Sequence, residues 1–118
     1  MSETIEHIFD KWRDSYVPPL PCVRDENGGI KEQKVKQLFA KINEELDELK
    51  EIVFYECSGD DVLYHLREDA DLRAAIAEEA ADTITAITTL CYYLGLDYDE
   101  RNEAQLRVNE KNRQRGRL

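Results

Sequence analysis

The sequence predicts an all-α protein: an antiparallel helical hairpin with flanking N- and C-terminal helices. Three observations carry that prediction. Only 5 glycines and 3 prolines occur in 118 residues, too few turn formers for a sandwich or barrel. The two longest segments without either residue repeat their apolar positions every three and four residues. Hydrophobic residues make up 42% of the chain, too many for a disordered polypeptide even with 36% charged. At this length a single domain over residues 1–118 is expected.

Residues 3–16 carry Ile5, Ile8, Phe9 and Trp12 at helical spacing and predict a short amphipathic helix. Val17-Pro18-Pro19-Leu20-Pro21 cannot continue it, because proline lacks an amide donor and disfavours helix in the residue before it. Residues 17–29 therefore read as a loop, closed by Asn27-Gly28-Gly29. From Ile30 to about Cys57 the set Val35, Leu38, Phe39, Ile42, Leu46, Leu49 and Val53 predicts a long second helix. Ser58-Gly59-Asp60 breaks the pattern, and a short helical piece is expected near residues 62–67, within a 57–71 connection. Leu72, Ile76, Ala80, Ile84, Ile87, Cys91 and Leu94 then define a third helix that stops at Gly95. A last helix, residues 99 to about 114, has few large apolar side chains. A hairpin this small leaves apolar surface uncovered, which predicts a four-helix bundle core completed by dimerisation.

Charge narrows the function. The net charge of −10 repels nucleic acid and anionic membranes. It is uneven: residues 1–100 hold 24 acids and 10 bases, residues 101–118 hold 2 acids and 6 bases. An acidic body suits gathered metal cations, and a basic tail suits an anionic ligand. Charge interrupts every apolar run before the roughly 18 residues of a membrane span. Met1-Ser-Glu-Thr-Ile-Glu-His lacks the basic region and apolar core of a signal peptide, so a cytoplasmic protein is expected. Cys22, Cys57 and Cys91 cannot all pair and form no Cys-x-x-Cys, which fits reduced thiols rather than structural zinc.

Acid pairs three residues apart occur throughout the chain, so spacing alone marks no site. Helical projection does separate two of them. With about 100° per residue and the apolar stripe as zero, Glu45 and Glu48 fall at about −70° and −130°, and Glu79 and Asp82 at about −80° and −140°. Glu44 projects toward solvent. In an antiparallel hairpin these equal offsets bring Glu45, Glu48, Glu79 and Asp82 to one edge of the contact and to one level. Four carboxylates so placed repel one another unless a cation sits among them. Oxygen donors select Mg²⁺ first and Mn²⁺ next, and neither His7 nor His65 follows a glutamate by three, as di-iron bundles require. Lys41, four residues before Glu45, suits an ion pair that orients that carboxylate.

In the tail Arg107, Lys111 and Arg115 recur every four residues beside Asn112 and form one basic stripe. Such groups serve either the helix dipole or the oxygens of a phosphate. Trp12 and Tyr16 are candidates to stack on a base, although an aromatic on an apolar helix face more often packs in a core.

Glu44-Glu45-Leu46-Asp47-Glu48, followed by Glu79-Ala80-Ala81-Asp82 and by the ending Val108-Asn109-Glu110-Lys111-Asn112-Arg113-Gln114-Arg115-Gly116, resembles the all-α nucleoside triphosphate pyrophosphohydrolases. These include MazG-like proteins, dimeric dUTPases and HisE-type phosphoribosyl-ATP pyrophosphohydrolases. The resemblance spans residues 30–116 and rests on the Glu-Glu-x-x-Glu and Glu-x-x-Asp pattern together with the tail. It implies Mg²⁺ held by Glu45, Glu48, Glu79 and Asp82, with Glu44 as a further catalytic group. It implies phosphate contacts from Lys111, Asn112 and Arg115, a homodimer or dimer of dimers, and a role in clearing the nucleotide pool. The implied reaction converts a nucleoside triphosphate to monophosphate and pyrophosphate. No Walker-type glycine loop is present to hold phosphates instead. The rival reading is a non-catalytic acidic helical adaptor for a basic protein partner.

Overall fold

The structure, a computed structural model, describes residues 5–56 and 68–118, with side chains described over 10–54 and 68–118. The helical piece expected at 62–67 and Cys57 lie outside the described residues. The fold is all-α: helices α1 (Ile5–Ser15), α2 (Val35–Glu51), α3 (Ala70–Tyr93) and α4 (Tyr98–Gln114). A π-helical turn, Ile52–Glu56, extends α2. Among the described residues no strand forms and no helix is long and apolar enough to cross a membrane. By contact the chain divides into two compact units, Met1–Pro18 with Leu96–Leu118, and Pro19–Gly95.

In the Pro19–Gly95 unit α2 packs against α3. Helix α2 begins at Val35, five residues later than the apolar spacing suggests. The reason is local: Ile30 bridges Arg24 in antiparallel fashion, and the Lys31 amide donates to the Val23 carbonyl (2.7 Å), so 30–34 is committed to the loop. Lys34 is extended, and its amide donates to Gln37 Oε1 at 2.9 Å, which starts the helix. The loop itself is a built turn. Asp25 Oδ1 accepts from the amides of Asn27 (2.9 Å) and Gly29 (3.0 Å), and Gly28 takes the positive φ of 81° that the turn requires. Two bonds tie it to α3: the Cys22 amide donates to Thr89 Oγ1 at 3.0 Å, and the Tyr93 hydroxyl donates to the Lys31 carbonyl.

Helix α3 starts where Asp69 Oδ1 accepts from the Leu72 amide (2.9 Å) and ends at Gly95, with φ 79°. Its buried positions are Ala86, Thr88, Thr89 and Leu90, not the predicted stripe. Ile84, Ile87 and Leu94 are exposed. Helix α3 is apolar on more than one side, and packing buries a face other than the one that apolar spacing marks. The buried threonine hydroxyls stay satisfied by donating to carbonyls four residues back, Ile84 (2.9 Å) and Thr85 (2.8 Å). On α2, Leu38 is the most buried side chain of the core.

The other unit contains α1 and α4. Asp97 opens α4 by accepting from the Glu100 amide (2.8 Å), while Glu100 Oε1 accepts from the Asp97 amide (3.3 Å), a reciprocal cap. Helix α4 has no buried residue, as its scarcity of apolar side chains predicts.

Candidate metal centre

Glu45 and Glu48 of α2 and Glu79 of α3 each present a carboxylate oxygen, and these three oxygens lie within 4.8 Å of one another. Helical geometry explains the convergence. Leu38, Ile42, Glu45 and Leu49 share one face of α2, and Glu79, Thr83, Ala86 and Leu90 share one face of α3. Glu45 and Glu79 therefore stand on the packed faces themselves, a correction to their expected position at the edge. Glu48 and Asp82 sit about 60° to the side of these faces. Glu45 is only 8% exposed, and Glu48 and Glu79 are half-buried.

Three carboxylates so close carry an electrostatic cost that the chain meets only in part. Lys41 Nζ lies 2.9 Å from Glu45 Oε1 and 3.4 Å from Glu44 Oε1, the orienting ion pair anticipated from spacing. Glu45 Oε2 and Glu79 Oε2 are both buried without a hydrogen-bond partner. A buried acceptor left unpaired costs about 1–3 kcal/mol, and a charged one more. Oxygen donors from two helices, two of them orphaned, fit a hard divalent cation. Glu45, Glu48 and Glu79 would hold such an ion through their carboxylates.

The cluster perturbs its own titration. The neighbouring Glu45 carboxylate, with partial desolvation and Glu79, raises the pKa of Glu48. The hydrogen bond to Glu45 raises the pKa of Lys41 against the opposing effect of desolvation. Glu48 thus binds its proton more tightly folded than unfolded. Its contribution favours the metal-free fold below the unfolded carboxylate range and is lost as pH rises through the raised folded value. Thermal denaturation in chelator between about pH 4 and pH 7 should therefore show wild type losing stability relative to Glu48→Gln as pH increases. A difference that is flat or rises with pH would contradict the cluster. Magnesium affinity should follow the opposite course and grow over the same range, with proton release.

Beside the cluster a cleft of about 540 Å³ opens along α2 and α3. Glu44, Glu45 and Asp82 line it toward the carboxylates, Leu38 and Ala86 form its apolar floor, and Arg24 and Lys31 reach it from the loop. Of the predicted residues, Glu45, Glu48 and Glu79 come together. Asp82 does not join them: it is exposed and lines the cleft one helical turn away. Glu44 is exposed, as projected, yet also lines the cleft. The remaining predicted residues belong to the other unit. Trp12 is 66% exposed on α1. Lys111 is exposed and Asn112 half-buried on α4, and exposed Arg115 follows directly as its cap. The loop residues Arg24, Lys31 and Gln33, with Gln37, were not foreseen at the site. No periodicity marks a loop residue, and their placement depends on the bonds that tie residues 22 and 31 to α3. No protein-family model, curated protein or solved structure matches the chain.

Proposed function

We propose that this chain is a magnesium-dependent nucleoside triphosphate pyrophosphohydrolase of the MazG-like kind, cleaving between the α- and β-phosphates to release pyrophosphate. One observation carries the reading: two buried, unpartnered carboxylate oxygens on facing helices, with a third carboxylate beside them. The resemblance of Glu44-Glu45-x-x-Glu48 and Glu79-x-x-Asp82 to the family's pattern supports it, and the adjoining cleft supplies room for a ligand.

In this reading Glu45, Glu48 and Glu79 hold magnesium, or manganese in its place; the resemblance adds Asp82, which lines the cleft apart from these three. The ion would supply charge neutralisation for the phosphates and Lewis acidity. Lys41 holds the Glu45 carboxylate in place through their ion pair. Glu44, at the cleft and paired with Lys41, accepts the proton of the attacking water. The resemblance assigns phosphate contacts to Lys111, Asn112 and Arg115, and Trp12, read from the α1 aromatics, stays a candidate to stack on a base. The test is a panel of NTPs and dNTPs with and without Mg²⁺, in which pyrophosphate and monophosphate are quantified. Pyrophosphate is expected only with the metal and is lost in Asp82→Asn. Orthophosphate as the product, or turnover indifferent to chelator, refutes the assignment, and complete inactivity favours the acidic adaptor.

The same proposal includes an antiparallel α2–α3 hairpin whose bundle a second copy completes, as a homodimer or dimer of dimers. The exposed α3 stripe supports it, with Ile84 at 52%, Ile87 at 46% and Leu94 at 51% exposed. Light scattering should give at least a dimer mass for wild type and a monomer mass for Ile87→Asp. A monomeric wild type at micromolar concentration rules the assembly out.

A further inference from the structure

The cleft beside the carboxylates has two chemically different ends. Toward the cluster its polar groups are acceptors, Glu44, Glu45 and Asp82. Away from it the charged groups are donors, beside the side-chain amides of Gln33 and Gln37. Arg24 and Lys31 can only donate, and Gln37 has spent its carbonyl on the Lys34 amide, which leaves its NH₂ group. Thr89 offers nothing more: its hydroxyl donates to Thr85 and accepts from Cys22. Lys41, the other cation of the cleft, is engaged by Glu45 and Glu44. By contrast, neither Arg24 nor Lys31 forms an ion pair among the described residues.

The donors are also held in place. Arg24 Nη1 donates to the Gly28 carbonyl at 2.6 Å across the Asp25 turn. The Lys31 backbone is fixed on both sides, by its amide to Val23 and its carbonyl to Tyr93. The bond from Cys22 to Thr89 anchors this segment to α3. A ligand lying along the cleft therefore meets a preformed donor wall rather than a loose loop.

Resting on the pyrophosphohydrolase reading, which places phosphates at the carboxylate end, we infer that Arg24 and Lys31 read the nucleobase edge that carries purine position 6 or pyrimidine position 4. The site then selects bases with oxygen at that position, guanine, hypoxanthine or uracil, over adenine and cytosine, which carry an amino group there. The chemistry is direct. Guanine and hypoxanthine turn O6 and N7 toward such donors, and uracil turns O4, whereas adenine N6 and cytosine N4 set a donor against a donor.

The experiment uses the full chain with Mg²⁺ and non-hydrolysable α,β-methylene triphosphates of guanosine, uridine, adenosine and cytidine, with binding read by calorimetry. Wild type should bind the guanosine and uridine analogues at least about 10-fold more tightly than the other two. In Arg24→Met and Lys31→Met that preference should collapse, with adenosine and cytidine affinities little changed. Lys31→Met leaves the turn intact if Arg24→Met loosens it, and circular dichroism checks both folds. Equal affinities in wild type, or variants that weaken all four analogues equally as a phosphate grip would, overturn the inference. Pyrophosphate release from the parent triphosphates is scored separately. Release without base preference sinks base reading alone, preference without release sinks the reaction alone, and failure to bind any analogue sinks both.

Discussion

Glu79→Gln is expected to lower magnesium-dependent pyrophosphate release by about 100-fold or more while raising the melting temperature of the metal-free protein. The two effects have one cause. Glu79 Oε2 and Glu45 Oε2 are both buried and unpartnered, in residues whose carboxylates approach within 4.8 Å. A glutamine of the same shape removes one negative charge from the cluster and supplies an NH₂ group to an orphaned carboxylate, a gain of about 1 kcal/mol. The same substitution deletes one of the proposed ligands, the one contributed by α3. Wild type at a hundred times its dissociation constant should gain about 2.7 kcal/mol from magnesium, and the variant much less. Calorimetry in chelator and in Mg²⁺, alongside the pyrophosphate assay, reads both. A variant that melts earlier in chelator and keeps the metal-induced shift would mean that these oxygens are ordinary surface acids. Opposed signs for stability and activity are the signature of a site whose cost the bound ion offsets.

Leu38→Ala should cost about 3 kcal/mol, the largest stability loss of any single truncation in the α2–α3 unit. Leu38 is 2% exposed, and the other buried hydrophobics among the described residues are Ala86 and Leu90. Alanine at 86 cannot expand to fill the space, so a cavity remains beside the cleft. Domains of this size have about 5–15 kcal/mol of stability in total. The urea midpoint should fall sharply with little change in slope. Phe39→Ala, one residue along and 52% exposed, is the control. It should cost less than about 1 kcal/mol in an isolated subunit. A larger and concentration-dependent loss would place Phe39 beneath a second copy.

Local patterning explains why much of the architecture was readable. The four helices with the loop between the first two follow from spacings of three and four, from Pro18, Pro19 and Pro21, and from the stop at Gly95. The Lys41 and Glu45 pair is equally local, because residues four apart on a helix are neighbours whatever surrounds them. The start of α2 was not legible: residues 30–34 carry a helical pattern but are held by Arg24 and Val23, partners outside the helix. The stripe of α3 was misread for a related reason. Ile84, Ile87 and Leu94 are more apolar than Ala86 and Thr89, and greasiness alone ranks them first. Close approach of two helices instead favours small side chains on the contact face.

Sequence alone determined that the chain is helical, that its body is strongly acidic, and which acids share a helical side, because backbone propensity, charge and periodicity belong to a segment and its immediate neighbours. Tertiary structure decided the rest: that Glu45 and Glu79 lie on the packed seam, that Asp82 stands apart from the three, and that Arg24 and Lys31 line the cleft. Those outcomes depend on which face of one helix meets which face of another and where a loop is tied down. Such choices turn on shape and desolvation between residues distant in the chain, which no local pattern encodes.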